Sequence, residues 1–353
     1  MALNKKSKII IGVVLLFAVI AFVVFTTRSK KSTLDPENFY VKDISTITKL
    51  FIVDKSDNSI LIEKQPDSTW LLNGQYDVNL PFVNMVLETL HKMRIQYPVP
   101  KSALHNIIRN LSSSATKVEV YERVYTINLF DKVKLFPKEK QTRVYYIGHE
   151  TQNNMGSYVL LKGEDAPVVA HIPGFRGFLE PRFNTSETTW RSRKVFDSDV
   201  HALKTIRVEI PEQQHESFEI IKDGNDVKVK LLATGEFLPS FDTFHVAQFL
   251  SSFVNVNFDE FASAIPSIQY DSVFTKNPGF IVTLTDTAQQ SNTIKTYVKL
   301  SSNYDFEDDE DGFYEAAFDV DRMYAVINNR DTVVIQYYVF DNILQPASFF
   351  RNK

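Results

Sequence analysis

The chain has 353 residues, 39 of them basic and 43 acidic, a formal charge of −4 and no cysteine. Its length suffices for two ordinary domains, while the acidic balance argues against a nucleic-acid binder, which would present a basic face. The missing cysteines exclude a disulfide framework and make a structural zinc site improbable.

The first element is a nineteen-residue run without a charge, residues 9–27, with Lys5, Lys6 and Lys8 before it and Arg28, Lys30 and Lys31 after it. At a rise of about 1.5 Å per residue such a helix would span roughly 28 Å, close to a bilayer's hydrocarbon thickness. It reads as an uncleaved signal-anchor: the run is longer than a leader's apolar centre, and no A-x-A-like cleavage site follows. The expectation is a single-pass protein of a bacterial inner (cytoplasmic) membrane. Residues 1–8 form a cytoplasmic tail, 9–27 the transmembrane helix and 28–43 a polar linker, with the body in the periplasm. Beyond residue 31 the balance is 33 basic to 43 acidic residues. A large extracytoplasmic body without cysteines fits a bacterial envelope better than a eukaryotic secretory pathway.

The body opens with strand patterns at Ile47, Leu50 and Ile52 and at Ile60 and Ile62, then Trp70-Leu71-Leu72, which ends at the turn dipeptide Asn73-Gly74. From Pro81 the period changes: Val83, Val86, Leu87 and Leu90 lie at i, i+3, i+4 and i+7, one face of a helix. A second short helix is expected over 102–111. Strands follow at 118–121, 125–130, 143–147, 158–161 and 168–172, and their short turns argue for antiparallel or mixed pairing.

The same order returns. LKTIRVEI at 203–210 answers 47–53, SFEIIK at 217–222 answers SILIEK at 59–64, and Gly235 follows Leu231-Leu232 as Gly74 follows Leu71-Leu72. Val246, Phe249, Leu250 and Phe253 repeat the helical stripe at a constant offset of 163 residues. The fold class expected is therefore α+β: an N-terminal single transmembrane helix followed by two tandem, β-rich, mainly antiparallel α+β modules. They occupy 44–197 and 198–353, the second a duplication of the first.

The strand pair, the Trp70-to-Gly74 turn and the Val83-to-Leu90 helix resemble the opening of a bacterial domain-of-unknown-function family (4340-like). That family is carried by membrane-anchored envelope proteins and by auxiliary proteins of gliding-motility-type ABC transporters. The resemblance implies an envelope location and an accessory role beside a transporter or surface machinery. It supplies no catalytic residues.

Two stretches stand out as candidate sites. Arg176, Arg182, Trp190, Arg191 and Arg193, with neighbouring phenylalanines, form a basic-aromatic segment that suits anionic lipid or an acidic polymer. A structural joint between the modules is the simpler reading. In the acidic run 305–312, Glu307, Asp309 and Asp311 offer oxygens for a cation loop, with Gly312 at the sixth position. The twelfth position is Phe318 where a bidentate Glu is expected, so a solvated turn is favoured there. The seven histidines show no metal-ligand spacing, and there is no nucleophile elbow or phosphate-binding glycine loop. No cofactor and no catalysis are expected. The function expected is an extracytoplasmic binding or scaffold protein with an envelope protein partner. The alternative is an envelope carbohydrate-active hydrolase using a carboxylate pair between the modules.

Overall fold

A computed structural model describes residues 36–129, 133–262, 265, 273–300 and 318–352, with the isolated positions 16, 18 and 19. The chain divides into two compact units, Met1–Ser192 and Arg193–Lys353.

In the first unit an aspartate starts the sheet. Asp43 accepts a hydrogen bond from the Ser45 amide (2.9 Å) and caps a single 3-10 turn, Ile44–Thr46, which hands the chain to β1, Ile47–Val53. Strands β2 (Ser59–Lys64), β3 (Trp70–Leu72) and β4 (Tyr76–Asp77) follow as a meander. Asn73 and Gly74 are both left-handed (φ 49° and 72°), the conformation that lets β3 reverse into β4. Helix α1 (Leu80–Lys92) is capped by Asn79 and has Pro81 in its first turn, where a missing N–H costs nothing. Then come β5 (Arg94–Pro98), helix α2 (Lys101–Ser114), and β6 to β9: Thr116–Leu129, Val133–Glu150, Ser157–Leu161 and Val168–His171. The sheet order is β4-β3-β2-β1-β6-β7-β8-β9-β5, antiparallel throughout.

The second unit begins with β10 (Lys194–Phe196). Its main sheet is built from β11 (Leu203–Glu209), β12 (Phe218–Asp223) and β13 (Asp226–Leu231), followed by helix α3 (Thr243–Ser251). The short strands β14 (Val256–Asn257) and β15 (Glu260–Phe261) precede β16 (Ile281–Asp286), β17 (Ser291–Leu300), β18 (Phe318–Ile327) and β19 (Asp331–Gln336). β10 pairs with β14 alone. The rest form one antiparallel sheet in the order β13-β12-β11-β16-β17-β18-β19-β15.

With β4 set aside, the two large sheets have the same strand order, position for position. Local details coincide as well. Asp199 caps the turn Val200–Ala202 before β11 through the His201 amide (2.7 Å), as Asp43 does before β1. In both sheets the register slips once at the start of the first strand, between Ile47 and Lys49 on β1 and between Leu203 and Thr205 on β11. The extra residue of that bulge explains an irregular sequence pattern. Ile47, Leu50 and Ile52 are spaced three and then two apart, yet all are buried, as are Leu203, Ile206 and Val208.

Two parts of the expected fold class are corrected. The described chain has the β-rich, mainly antiparallel character expected, but with three antiparallel sheets and few helices the α+β class overstates its helix. Most of its apolar residues recur at the strand period, and only α1, α2 and α3 among the described helices exceed two turns. The N-terminal transmembrane helix is likewise not supported, since no helix among the described residues is long and apolar enough to cross a membrane. The longest, α2, has 14 residues, about 21 Å of helix, and carries Lys101, His105 and Arg109. Apart from Leu16, Ala18 and Val19, the run 9–27 lies outside the described residues.

Each unit has its own core. In the first, Val83, Val86, Leu87 and Leu90 of α1 join Leu50, Ile52, Val118, Tyr145 and Ile147 of the sheet, with Trp190 closing one end. In the second, Phe218, Phe249, Phe253 and Phe350 pack edge to face at centroid separations of 4.9–5.6 Å. Phe249 lies at the centre of this group and is fully buried. Phe249→Ala is expected to lower the stability of the second unit by about 4 kcal/mol. Asp199→Ala, which removes only a cap, is expected to cost about 1 kcal/mol. Urea unfolding followed by circular dichroism checks both the values and their order.

Candidate functional site

Strands β6 and β7 are far longer than their neighbours. β1 leaves β6 at Glu122, and β8 joins β7 only from Tyr145 onward. Past those points the two strands pair with each other alone, from Arg123↔Glu139 to Leu129↔Val133. The result is a two-stranded arm that runs beyond the edge of the sheet.

Carboxylates pin the arm's root. Glu122 accepts from Thr46 Oγ1 (2.9 Å), from Arg143 Nη1 (2.5 Å) and from the Thr142 hydroxyl. Glu139, on the facing strand, accepts from Thr48 Oγ1 (2.7 Å) and Lys49 Nζ (2.5 Å). Glu119 is buried and accepts from Tyr121 Oη (2.6 Å), Gln141 Nε2 (2.8 Å) and the Lys117 ammonium. Burial pushes the Glu119 carboxyl up, but the bonds from Lys117, Tyr121 and Gln141 outweigh it and hold the group below the usual carboxylate range. Glu139 behaves alike, with burial opposed and overcome by Lys49 and Thr48. The partners move the other way: the Glu139 bond raises Lys49, and the Glu119 bond raises Lys117. A general acid needs a carboxyl raised toward neutrality, and Glu119 and Glu139 are shifted in the opposite direction.

Beside the root lies an open cleft of about 720 Å³, lined among others by Asn38, Lys42, Glu122, Gln141, Arg143 and Lys162. Its one lining carboxylate, Glu122, is already bound to Arg143, and Lys42 is bound to Glu37 at 2.9 Å. Such a wall of fixed charges and amides suits polar recognition of a partner. A second groove, about 350 Å³, runs along α1 between Met85, Glu88, Thr89, Ile172, Phe175 and Arg182. There too the one carboxylate, Glu88, is paired, with Lys92 at 2.6 Å. Neither cleft brings together the two carboxylates that the hydrolase alternative requires.

The five residues of the basic-aromatic segment do not form one surface. Arg182 lies in the α1 groove, its guanidinium carbon 4.6 Å from the Phe175 ring centre and Nη1 donating to Thr89 Oγ1 (3.0 Å). Arg176 is exposed nearby in sequence. Trp190 belongs to the core: it is fully buried, donates from Nε1 to the Asn184 carbonyl (2.8 Å) and meets Phe82 edge on at 4.7 Å. Arg191 covers the Tyr76 ring at 4.0 Å. Arg193 falls in the second unit, where it donates to the Asp259 carbonyl (2.6 Å). Glu307, Asp309 and Asp311 lie outside the described residues. Among the described residues no group of three or more His, Asp or Glu side chains is placed to hold a metal.

Sequence reasoning missed Glu119, Glu122, Glu139 and Arg143. Their signal was the mixture of opposite charges along 117–143, which becomes pairing only once the strand registers are known.

A family model described as a domain of unknown function (DUF4340) matches residues 70–272. No curated protein and no solved structure matches the chain.

The root's ion pairs make two testable statements. Arg143→Met, which strands the half-buried Glu122, is expected to destabilise the first unit by about 2 kcal/mol in urea unfolding. Because Glu119 and Glu139 have depressed folded-state values, their contribution is complete above the unfolded carboxylate pKa of about 4.3 and is lost as pH falls through the folded values. Glu119→Gln is therefore expected to flatten the loss of stability below about pH 4, read as urea midpoint against pH.

Proposed function

The chain belongs to the family of the domain of unknown function DUF4340, and on that premise we propose that it is a non-catalytic binding or scaffold protein of the bacterial envelope, with its body outside the cytosol. The observation that carries the binding reading is the cleft at the root of the arm. Lys42, Arg143 and Lys162 line it with Asn38 and Gln141, and hydrogen bonds hold Arg143 to Glu122 and the Asn38 carbonyl and Gln141 to Glu119 before any partner arrives. A preorganised wall loses little conformational entropy on binding, and its lysines suit an acidic, extended segment of a protein partner. An accessory role beside a transporter or another surface machine follows as the finer reading, with that machine supplying the acidic segment.

The location is supported by the absence of cysteine from all 353 residues, which suits a bacterial envelope protein that folds without disulfides. Protease treatment of intact and opened spheroplasts checks it: cleavage of the body before opening is expected, and protection would overturn the placement.

A photo-crosslinking residue placed at Gln141 in the full chain, followed by mass spectrometry of the captured species, tests the partner. The expected result is a discrete protein adduct that is lost in a Lys42→Glu/Lys162→Glu variant of unchanged urea stability. Adducts no different from those of a crosslinker at an exposed position of the second unit would sink the reading.

A further inference from the structure

The outer part of the arm carries a feature that the cleft at its root does not use. Ile127 and Leu135 face each other across the ribbon and are 39% and 46% exposed, and Phe136 beside them is 66% exposed. On β7, Lys134, Lys138 and Lys140 are also exposed and share the strand parity of Phe136, whereas the Ile127–Leu135 pair belongs to the ribbon's other face. An isolated two-stranded ribbon is marginally stable in water, and one that holds three large apolar side chains in solvent invites a covering surface.

The arrangement decides what that surface is. Along β7 a further strand fits poorly: Pro137 has no N–H to donate, and Phe136 is left-handed (φ 56°), which bends β7 away from a regular edge. A second copy packed on the Phe136 face would set Lys134, Lys138 and Lys140 against themselves, a repulsive pairing. A specific protein interface covers roughly 800 Å² per partner. The outer ribbon, seven residues of β6 at about 3.4 Å each and two strands wide, offers about 240 Å² on a face. A bilayer needs no such area. Apolar side chains enter its interfacial layer one at a time, and lysines gain from anionic headgroups individually.

We propose that the β6–β7 arm rests Phe136 in the interfacial layer of an anionic phospholipid membrane, with Lys134, Lys138 and Lys140 of the same ribbon face against the lipid phosphates. The inference rests on the envelope location proposed above and adds a peripheral contact that orients the first unit's cleft near the bilayer surface. It concerns the arm alone and is independent of how the rest of the chain reaches the membrane.

The test uses full-length protein carrying Phe136→Trp. Both native tryptophans, Trp70 and Trp190, are buried, so the new indole reports the arm. With phosphatidylcholine vesicles containing phosphatidylglycerol, a blue-shifted emission and quenching by bromine-labelled acyl chains are expected. With phosphatidylcholine alone both effects are expected to be much smaller. Substituting Lys134, Lys138 and Lys140 by Gln should lower the docked-to-undocked ratio about fivefold per residue, roughly a hundredfold for the three. An indole that stays water-exposed with both vesicle types overturns the proposal. So does an equal shift in the two vesicle types that survives the lysine substitutions, or a shift that requires an added envelope protein. A body accessible to protease outside the cytosol but with a dry, unquenched arm would remove this contact while the location stood, so the two failures are distinguishable.

Discussion

Each unit depends on an amphipathic helix pressing a single apolar stripe onto an antiparallel sheet. In the first unit the stripe is Val83, Val86, Leu87 and Leu90; in the second it is Val246, Phe249 and Leu250, with Phe253 just past the helix end. Without the helix, the inward sides of β1, β6, β7 and β8, or of β11, β16 and β17, would face water. Large open sheets expose many apolar side chains on one face, and only a covering element removes them from solvent. The second unit fills its space with phenylalanines in edge-to-face contact, the first with aliphatic side chains around Phe39, Tyr145, Phe183 and Trp190. The same strand order thus accommodates two different fillings, as packing by volume permits.

The functional surfaces arise where that order stops being followed. In the first unit β6 and β7 run on after β1 and β8 have ended, and the carboxylates at the junction hold the extension in place. Glu119, Glu122 and Glu139 each meet a cation and at least one neutral donor, so the root is stiff while the arm beyond it is open to solvent. A stiff root with an open arm separates two tasks on one hairpin. The cleft beside the root offers fixed polar groups, and the outer ribbon offers apolar side chains flanked by lysines. The second unit has no counterpart of this extension in β16 and β17, whose hairpin closes at Thr285↔Ser291.

Some of this was open to reading from residues alone. Helical and strand periods are local, so the α1 and α3 stripes and most strands of both sheets follow from residue order. The Asn73-Gly74 reversal and the capping positions are equally local, because a turn's conformation depends on the few residues that make it. The spacing Ile47, Leu50, Ile52 looked irregular for a strand, and the bulge that resolves it required the partner strand. The stretch Arg176 to Arg193 shows the converse: its basic-aromatic pattern left a surface and, more simply, a structural joint both open, and it took the fold to show that Trp190 turns inward to Asn184 and Phe82.

Order along the chain by itself determined the family, the repeated helix register and the β-rich character of the body, because each is written in the spacing of apolar residues over short windows. Tertiary structure alone decided that β6 and β7 form one projecting arm. It also decided which carboxylate meets which cation, and that few helices stand against three sheets. Those outcomes depend on where neighbouring strands end and on bonds between distant residues, as in the Tyr145 bond to the Phe39 carbonyl 106 positions away. No local period records that information, since it exists only after distant strands have paired.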